Sequence, residues 1–414
     1  MQFSRRWLIA ALPAAGLVGC ASPNSAISAS RSGLPPEFLP QRNPAYDRWV
    51  QAFQTRARSR GISDATLRTA FQGAGYLPGV VERDRNQTET KRSLEDYLAI
   101  VANDTKVAEG RRKRAAFSGI LGEIVRRYGV PANVVAAVWG MESNYGARRG
   151  DIPVISAVST LAYDGRRGAF FENQLMAALR ILARRDVSAA NLTGSWAGAM
   201  GHTQFIPTTF EAYAVDFRGD GRRDIWSDDP TDALASAAAY LAKSGWRSGQ
   251  PWGLEVALPA GFSTGLAGRG NKRSVASWRD LGVRTASGGT LPDHGSAALL
   301  LPQGPNAPAF LVFSNFNAIL RYNNSENYGI GIGYLSDRIN GAGPLSKAFP
   351  PDRNGLTIND RKELQRLLTA RGFDTGGADG VLGTKSQAAI SAYQRSIGVA
   401  VTGEPSLSLL ASLR

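Results

Sequence analysis

Residues 134–146 read VVAAVWGMESNYG. Val135, Val138, Trp139 and Glu142 recur at i, i+3, i+4 and i+7, so a helix here carries them on one face. Pro131 opens that helix at a position where a missing N–H breaks no hydrogen bond. The apolar members point inward, which leaves Glu142 at the end of a buried stripe, beside an indole. A carboxyl that loses hydration there has its pKa raised. It can then hold a proton near neutral pH and give it to a leaving oxygen. Glu142 is equally well read as a helix-terminal glutamate bonded to nearby backbone. The pattern settles the helix and leaves the role open.

Helical periodicity extends outward from this stretch. Trp49, Phe53 and Ala57 fall at i, i+4 and i+8. Residues 66–71, 94–100, 170–183 and 232–243 continue the pattern. Residues 115–128 carry Phe117, Ile120, Leu121, Ile124 and Val125 on one stripe, closed by Gly129. After Trp246 the texture changes: Gly and Pro become frequent, and 255–258, 297–301 and 310–313 are short apolar runs that read as strands. Helix returns at 317–321 and 328–339. The expected fold is therefore mainly α (α+β), with a small β-containing lobe.

Residues 341–354 (GAGPLSKAFPPDRN) have linker composition. Beyond them lies a small unit. Leu364, Leu367 and Leu368 mark one helix. The run 384–387 (TKSQ) reads as a capping box that starts a second, with Ile390, Tyr393 and Ile397 on one face. A last helix covers 407–413. Three short helices make a binding module too small for an elaborate active site.

At the other end, residues 1–19 combine a basic start (Arg5, Arg6), a short apolar run and Gly19. They read as an export signal, too short for a stable membrane span. The chain has a single cysteine, Cys20, so neither an internal disulfide nor a cysteine metal site is available. The run 17–20 (LVGC) resembles a lipobox, in which the cysteine is lipidated and becomes the mature N-terminus. Ser4, Arg5 and Arg6 partly match a twin-arginine signal, and ordinary secretion fits as well. Ala21 after the cysteine favours outer-membrane sorting. Residues 21–44, rich in Ser, Ala, Pro and Asn, read as a flexible tether. The expected domains are 1–19 signal, 20–44 lipidated tether, 45–345 catalytic, 346–354 linker and 355–414 wall-binding.

The 414 residues hold 48 Lys plus Arg against 34 Asp plus Glu, a net charge of +14. Such a surface suits an anionic partner, and charge alone does not choose among nucleic acid, lipid headgroups and wall polymers. Two histidines, His202 and His294, leave little for a Ser-His-Asp hydrolase, because neither accompanies a Gly-x-Ser-x-Gly elbow. Zinc spacing and a phosphate loop are both missing from the sequence. A positional role suits His202 better than catalysis.

A second segment, 194–207 (GSWAGAMGHTQFIP), contains glycines that permit close backbone approach. Ser195, Gln204 and the aromatics there could offer hydrogen bonds and a stacking face to a sugar. The same residues would also serve a tight helix–turn contact.

Together, 139–146 (WGMESNYG), 198–201 (GAMG) with 204–207 (QFIP), and 321–323 (RYN) resemble the lytic murein transglycosylase B family over about 46–345. The resemblance implies a lysozyme-like helical catalytic domain. It implies that Glu142 is the single catalytic acid/base, that Tyr145, Ser195 and Gln204 contact substrate, and that Tyr322 and Asn323 close the active site. Arg166 and Arg167 match an arginine pair that meets the muramyl peptide. The implied reaction is cleavage of the MurNAc–GlcNAc bond of peptidoglycan without water, giving 1,6-anhydromuramoyl ends. Glu172 and Glu211 are the nearest rival acids, and both look like solvent-facing helix residues. Residues 356–413 resemble the three-helix peptidoglycan-binding domain, through Leu364, Phe373, Asp379, Gly380, Tyr393 and Gly403 among others.

These resemblances imply peptidoglycan strands and, through the lipid, a membrane as partners, without nucleic acid. They also imply a monomer lipid-anchored in the periplasm, at the inner face of the outer membrane. No cofactor is required. Residues 216–224 resemble half of an EF-hand loop, in which Asp216, Asp220 and Asp232 could hold calcium weakly. Arg218 stands where an oxygen ligand is needed, and pairing of Arg218 with an Asp is the competing expectation. Two other functions fit the same sequence: a non-catalytic wall-anchoring lipoprotein and a water-using muramidase.

Overall fold

The computed structural model describes residues 33–86 and 92–414. The signal segment 1–19, Cys20 and the tether up to residue 32 lie outside the described residues. The chain divides into two compact units, one built from 33–86 and Phe117–Lys243, the other from 92–116 and Ser244–Arg414. No helix among the described residues is long and apolar enough to cross a membrane.

The described residues ahead of the expected catalytic boundary at residue 45 are structured. Pro36–Phe38 forms a 3-10 turn with Phe38 buried, and Gln41 bridges to Tyr76. Asn43 then caps Pro44–Ser59, its side chain accepting from the amides of Ala45 and Tyr46. Residues 36–44 are thus packed chain rather than tether.

The first unit is helical around Ala132–Ser143. This helix is buried almost throughout, from Val134 to Gly140. An apolar surface on every side is the mark of a central helix rather than an amphipathic one. Ser118–Tyr128 and Thr231–Lys243 pack against it. Val154–Asp164 and Gly168–Ala183 form a hairpin of helices turned at Gly165, which sits at φ 83°. The first of these helices is buried from Val154 to Ala162, Ser156, Ser159 and Thr160 included, and the helical pattern did not bring it out. The stripe at 115–128 is not one helix. Ala115 and Ala116 end Asp104–Ala116, and the next helix starts at Ser118, where the chain passes from one unit to the other.

The second unit holds a five-stranded antiparallel sheet. Its order is Lys272–Ser274, Ser296–Leu300, Ala309–Val312, Gly253–Ala257, Arg284–Thr285. The register pairs Leu299 with Leu311 and Glu255 with Phe310. Trp278, Val275, Val283, Leu299 and Leu311 form its core. The three runs read as strands are its central members. The short edge strands carry too few apolar residues to show a period of two.

The C-terminal module consists of Ile358–Ala370, Thr384–Ser396 and Leu407–Leu413 around Leu364, Leu368, Ile390, Tyr393 and Leu410. Thr384 is not a cap. Gly383 holds the N-cap position without a side-chain bond, and the capping box sits one helix earlier, between Thr357 and Asp360. The linker is pinned: the Glu255 carboxylate accepts from the amides of Ser346 and Lys347, both at 2.9 Å. Arg361, 5% exposed, pairs with Glu95 and, at 2.7 Å, with Asp96.

Candidate active site

The end of Ala132–Ser143 delivers Glu142 half-buried, with Val135, Val138 and Trp139 fully buried on the same face. The helix stops abruptly. Asn144, Tyr145 and Gly146 follow one another at φ 50°, 57° and 88°. Only Gly adopts this left-handed region freely, so two of the three carry strain that the surroundings must hold. Gln204, in the second motif, is also left-handed at φ 50°. Three of the four non-glycine residues with positive φ among those described therefore lie in the two motifs singled out from sequence.

What holds this turn is His202. Trp139 Nε1 donates to His202 Nδ1 at 3.0 Å, and His202 Nε2 donates to the Ser227 carbonyl at 2.7 Å. One neutral tautomer satisfies both bonds. Burial pushes the imidazole below its usual pKa, against the pull of the Ser227 carbonyl. Ser143 Oγ donates to the His202 carbonyl at 2.8 Å and accepts from Gly146 N at 3.1 Å. A Cβ on Gly146 would lie 2.4 Å from His202 Cε1, so only glycine fits. The imidazole is thus a fixed spacer between the helix end and the second motif.

The second motif folds as a chain of tight turns. Ser195 N donates to Ala199 O at 2.7 Å, and Met200 N to Phe205 O at 2.9 Å. A Cβ on Gly201 would meet the Ile225 carbonyl at 2.1 Å. Ser195 Oγ accepts from Ala199 N at 3.1 Å, which leaves its hydroxyl proton to donate. Gln204 Nε2 donates to the carbonyls of Arg149 (3.0 Å) and Gly201 (2.9 Å), so its Oε1 is directed away as an acceptor. Tyr145 is 4% exposed and meets the Trp139 ring edge-on at 5.8 Å.

Both rival acids are engaged. Glu172 is held in a two-pronged salt bridge by Arg56, and Glu211 in another by Arg180. They are paired rather than solvent-facing. Arg166 and Arg167 converge on Asp84, itself 2% exposed, at 2.5 and 2.6 Å. Burial raises the Asp84 carboxyl, and the two guanidiniums outweigh that and hold it below the usual range. The pair is anchored, not loosely solvated. Asp84 carried no signal in sequence; it is one acid in a charged run. Tyr322 and Asn323 lie in the second unit, 5% and 7% exposed, with Asn323 Oδ1 accepting from Ser325 N at 3.2 Å.

The acidic loop does not fit calcium. Asp216 spends both oxygens on the amides of Gly219, Asp220 and Gly221, and Asp232 spends both on Phe217 and Asp224. Asp220 accepts from Arg222 N. Among the described residues no three His, Cys, Asp or Glu side chains gather as a metal site would require. Arg218 pairs with Glu123 at 3.0 Å, not with an aspartate, because the Ser118–Tyr128 helix brings that glutamate within reach.

A buried helix that ends in one half-buried glutamate, locked to a glycine-rich loop, is the core of a lysozyme-like, glycan-cleaving fold. Residues 45–337 match the family model described as transglycosylase SLT domain, and 357–413 match that of a putative peptidoglycan binding domain. The chain belongs to the transglycosylase SLT family and carries a peptidoglycan-binding domain. It resembles SltB3 from Pseudomonas aeruginosa, solved in complex with NAG-anhNAM-pentapeptide, with 47% identity and a TM-score of 0.73 over 90% of this chain and 100% of that one. Escherichia coli Slt35, solved with calcium, matches at 27% identity and a TM-score of 0.61 over 72% of this chain and 93% of that one. Membrane-bound lytic murein transglycosylase B of Escherichia coli K12 is 33% identical over 219 residues. That alignment takes in 51% of this chain and 58% of the curated relative.

Proposed function

We propose that the chain is a lytic transglycosylase that cuts the β-1,4 bond between MurNAc and GlcNAc in peptidoglycan, with Glu142 as sole acid and base. Glu142 protonates the oxygen leaving C1 of the muramic residue. The neighbouring N-acetyl group stabilises the positive charge that develops there. The Glu142 carboxylate then takes the proton from the C6 hydroxyl of the same sugar, and that oxygen attacks C1. The product ends in 1,6-anhydromuramic acid and no water is consumed. Hydrolases that use two carboxylates need a second free acid. The observation that carries the reading is that Glu172 and Glu211, the nearest rivals in sequence, are each committed to an arginine.

Ser195 and Gln204 bind the sugar in this reading, Ser195 as donor and Gln204 through Oε1 as acceptor. Tyr145, Tyr322, Asn323, Arg166 and Arg167 complete the substrate contacts. The C-terminal module retains the enzyme on its polymer and raises the local substrate concentration. Cys20 carries the lipid that anchors the protein in the periplasm, at the inner face of the outer membrane. The relative named membrane-bound supports a membrane location.

Digestion of purified sacculi tests the reaction. Released muropeptides that carry anhydro ends, lighter by one water than reducing ends, are the expected product. Reducing muramic ends would select a muramidase. Pelleting with sacculi and no release would select a non-catalytic wall anchor.

A further inference from the structure

The β lobe of the second unit holds a cavity of about 310 Å³ lined by Arg247, Gln250, Lys272, His294, Ser296 and Ser314. That is the low end of the size range of small-molecule sites, room for an amino-acid residue rather than a bare ion. Its frame is built from buried polar bonds. Asn315, fully buried, accepts from Arg247 N at 2.7 Å and donates to the carbonyls of Arg247 (2.9 Å) and Gln250 (2.6 Å). Gln250 in turn donates to the His294 carbonyl at 2.7 Å and accepts from Ser314 Oγ at 2.6 Å. The side-chain amides of Gln250 and Asn315 and the Gln250 carbonyl are therefore engaged in holding the rim.

The charged rim residues are not spent. Arg247 and Lys272 form no salt bridge among the described residues. His294 packs edge-on against Phe313, 5.5 Å away, which fixes its ring without using its nitrogens. Asp293, the nearest acid along the chain, is turned onto the Gly295 amide at 2.9 Å. Two cations and an imidazole, with the Ser296 hydroxyl beside them on a rigid frame, form a receptor for an anion that also accepts hydrogen bonds.

We infer that this cavity binds the free carboxylate end of a short peptide, the chemistry carried by the stem peptides of peptidoglycan. The choice of a peptide carboxylate rests on the proposed function; the anion chemistry does not. Such a site would grip the peptide of a glycan strand independently of the bond being cut.

Calorimetric titration of the full chain separates these readings, with three probes: a stem tetrapeptide with free carboxylates, the same peptide amidated at its C-terminus, and inorganic phosphate. The comparison is with the exposed double variant Arg247→Gln, Lys272→Gln. The free peptide is expected to bind at least about tenfold more weakly to the variant, since both charge-assisted hydrogen bonds to the carboxylate are lost. Amidation should weaken binding to the wild type alone. Cleavage of peptide-free glycan chains should be equal in both proteins, a readout of the enzymatic reading that does not depend on the pocket. Equal affinity of wild type and variant for the free peptide, or phosphate competing as well as the peptide does, would overturn the proposal.

Discussion

Trp139 Nε1 donates its proton to Nδ1 of His202 across 3.0 Å, three residues before Glu142. The bond exists only while the imidazole is neutral, and Nε2 must then carry the hydrogen for Ser227. His202 is a positioning residue: it fixes the turn of the helix that presents the acid. Asn places an oxygen where Nδ1 lies and keeps the Trp139 bond, whereas Leu keeps neither bond. His202→Asn should retain most activity. His202→Leu should lower kcat about tenfold or more with KM little changed, since a buried donor left unpaired costs about 1–3 kcal/mol. Steady-state kinetics on purified glycan chains reads the split; a rise in KM at constant kcat would place His202 on the substrate instead.

The same imidazole predicts acid sensitivity. Its folded pKa is lowered by burial from the usual 6.5. In the window below 6.5 the unfolded chain therefore binds more protons than the folded one, and stability falls with pH. The fall begins near pH 6.5 and stops once pH is below the lowered folded value. Differential scanning fluorimetry from pH 7.5 downward should show this slope in wild type and lose it in His202→Asn.

Asp337 works in the opposite direction. It is half-buried beside Trp252, whose Nε1 donates to it at 2.9 Å, and the loss of hydration there pushes its carboxyl from 3.8 up to about 6. The folded state then holds the proton more tightly, so this contribution is present at low pH and lost as pH rises from about 4 to about 6. Asp337→Asn keeps an acceptor for Trp252 and removes the charge. It should stabilise the protein at pH 7.5 by on the order of 2 kcal/mol, and by nothing measurable near pH 3.5. Equal unfolding midpoints at pH 7.5 would refute it.

Arg361 joins the C-terminal module to Leu94–Val101 through Glu95 and Asp96, in surroundings where Glu95 is pushed up by burial. Removing one partner of a buried pair strands the other charge. Arg361→Ala should therefore cost about 3–5 kcal/mol, measured by urea unfolding, while a loss under 1 kcal/mol would mean the pair is wet in solution. The double change Arg361→Met, Glu95→Leu should recover most of it.

Much of this was legible in the sequence because periodicity reports burial. The helix at Glu142, the three central strands and the last helix at Leu407–Leu413 were visible in spacing alone. Elements buried on every side were not: Val154–Asp164 buries Ser156, Ser159 and Thr160 along with its apolar residues and so offers no apolar stripe to read. The two motifs stand out in the sequence, but what holds them does not. Asp84 under the arginine pair, His202 under the turn that follows Glu142 and Asn315 under the cavity rim are single polar residues whose partners lie far away in sequence. No local pattern encodes such a pairing. Arg218 shows the same: the expected pairing with an Asp of its own loop does not form, and its partner, Glu123, is supplied by another helix.

Glu142→Gln tests the central claim most directly. The amide keeps the shape and hydrogen-bonding reach of the side chain and removes the proton it must give and take. Release of anhydromuropeptides from sacculi should fall by at least the roughly 10²–10⁴-fold that acid–base catalysis contributes, with the unfolding midpoint and sacculus binding unchanged. Release within a few-fold of wild type, from a folded and wall-bound variant, would contradict Glu142 as the acid and base.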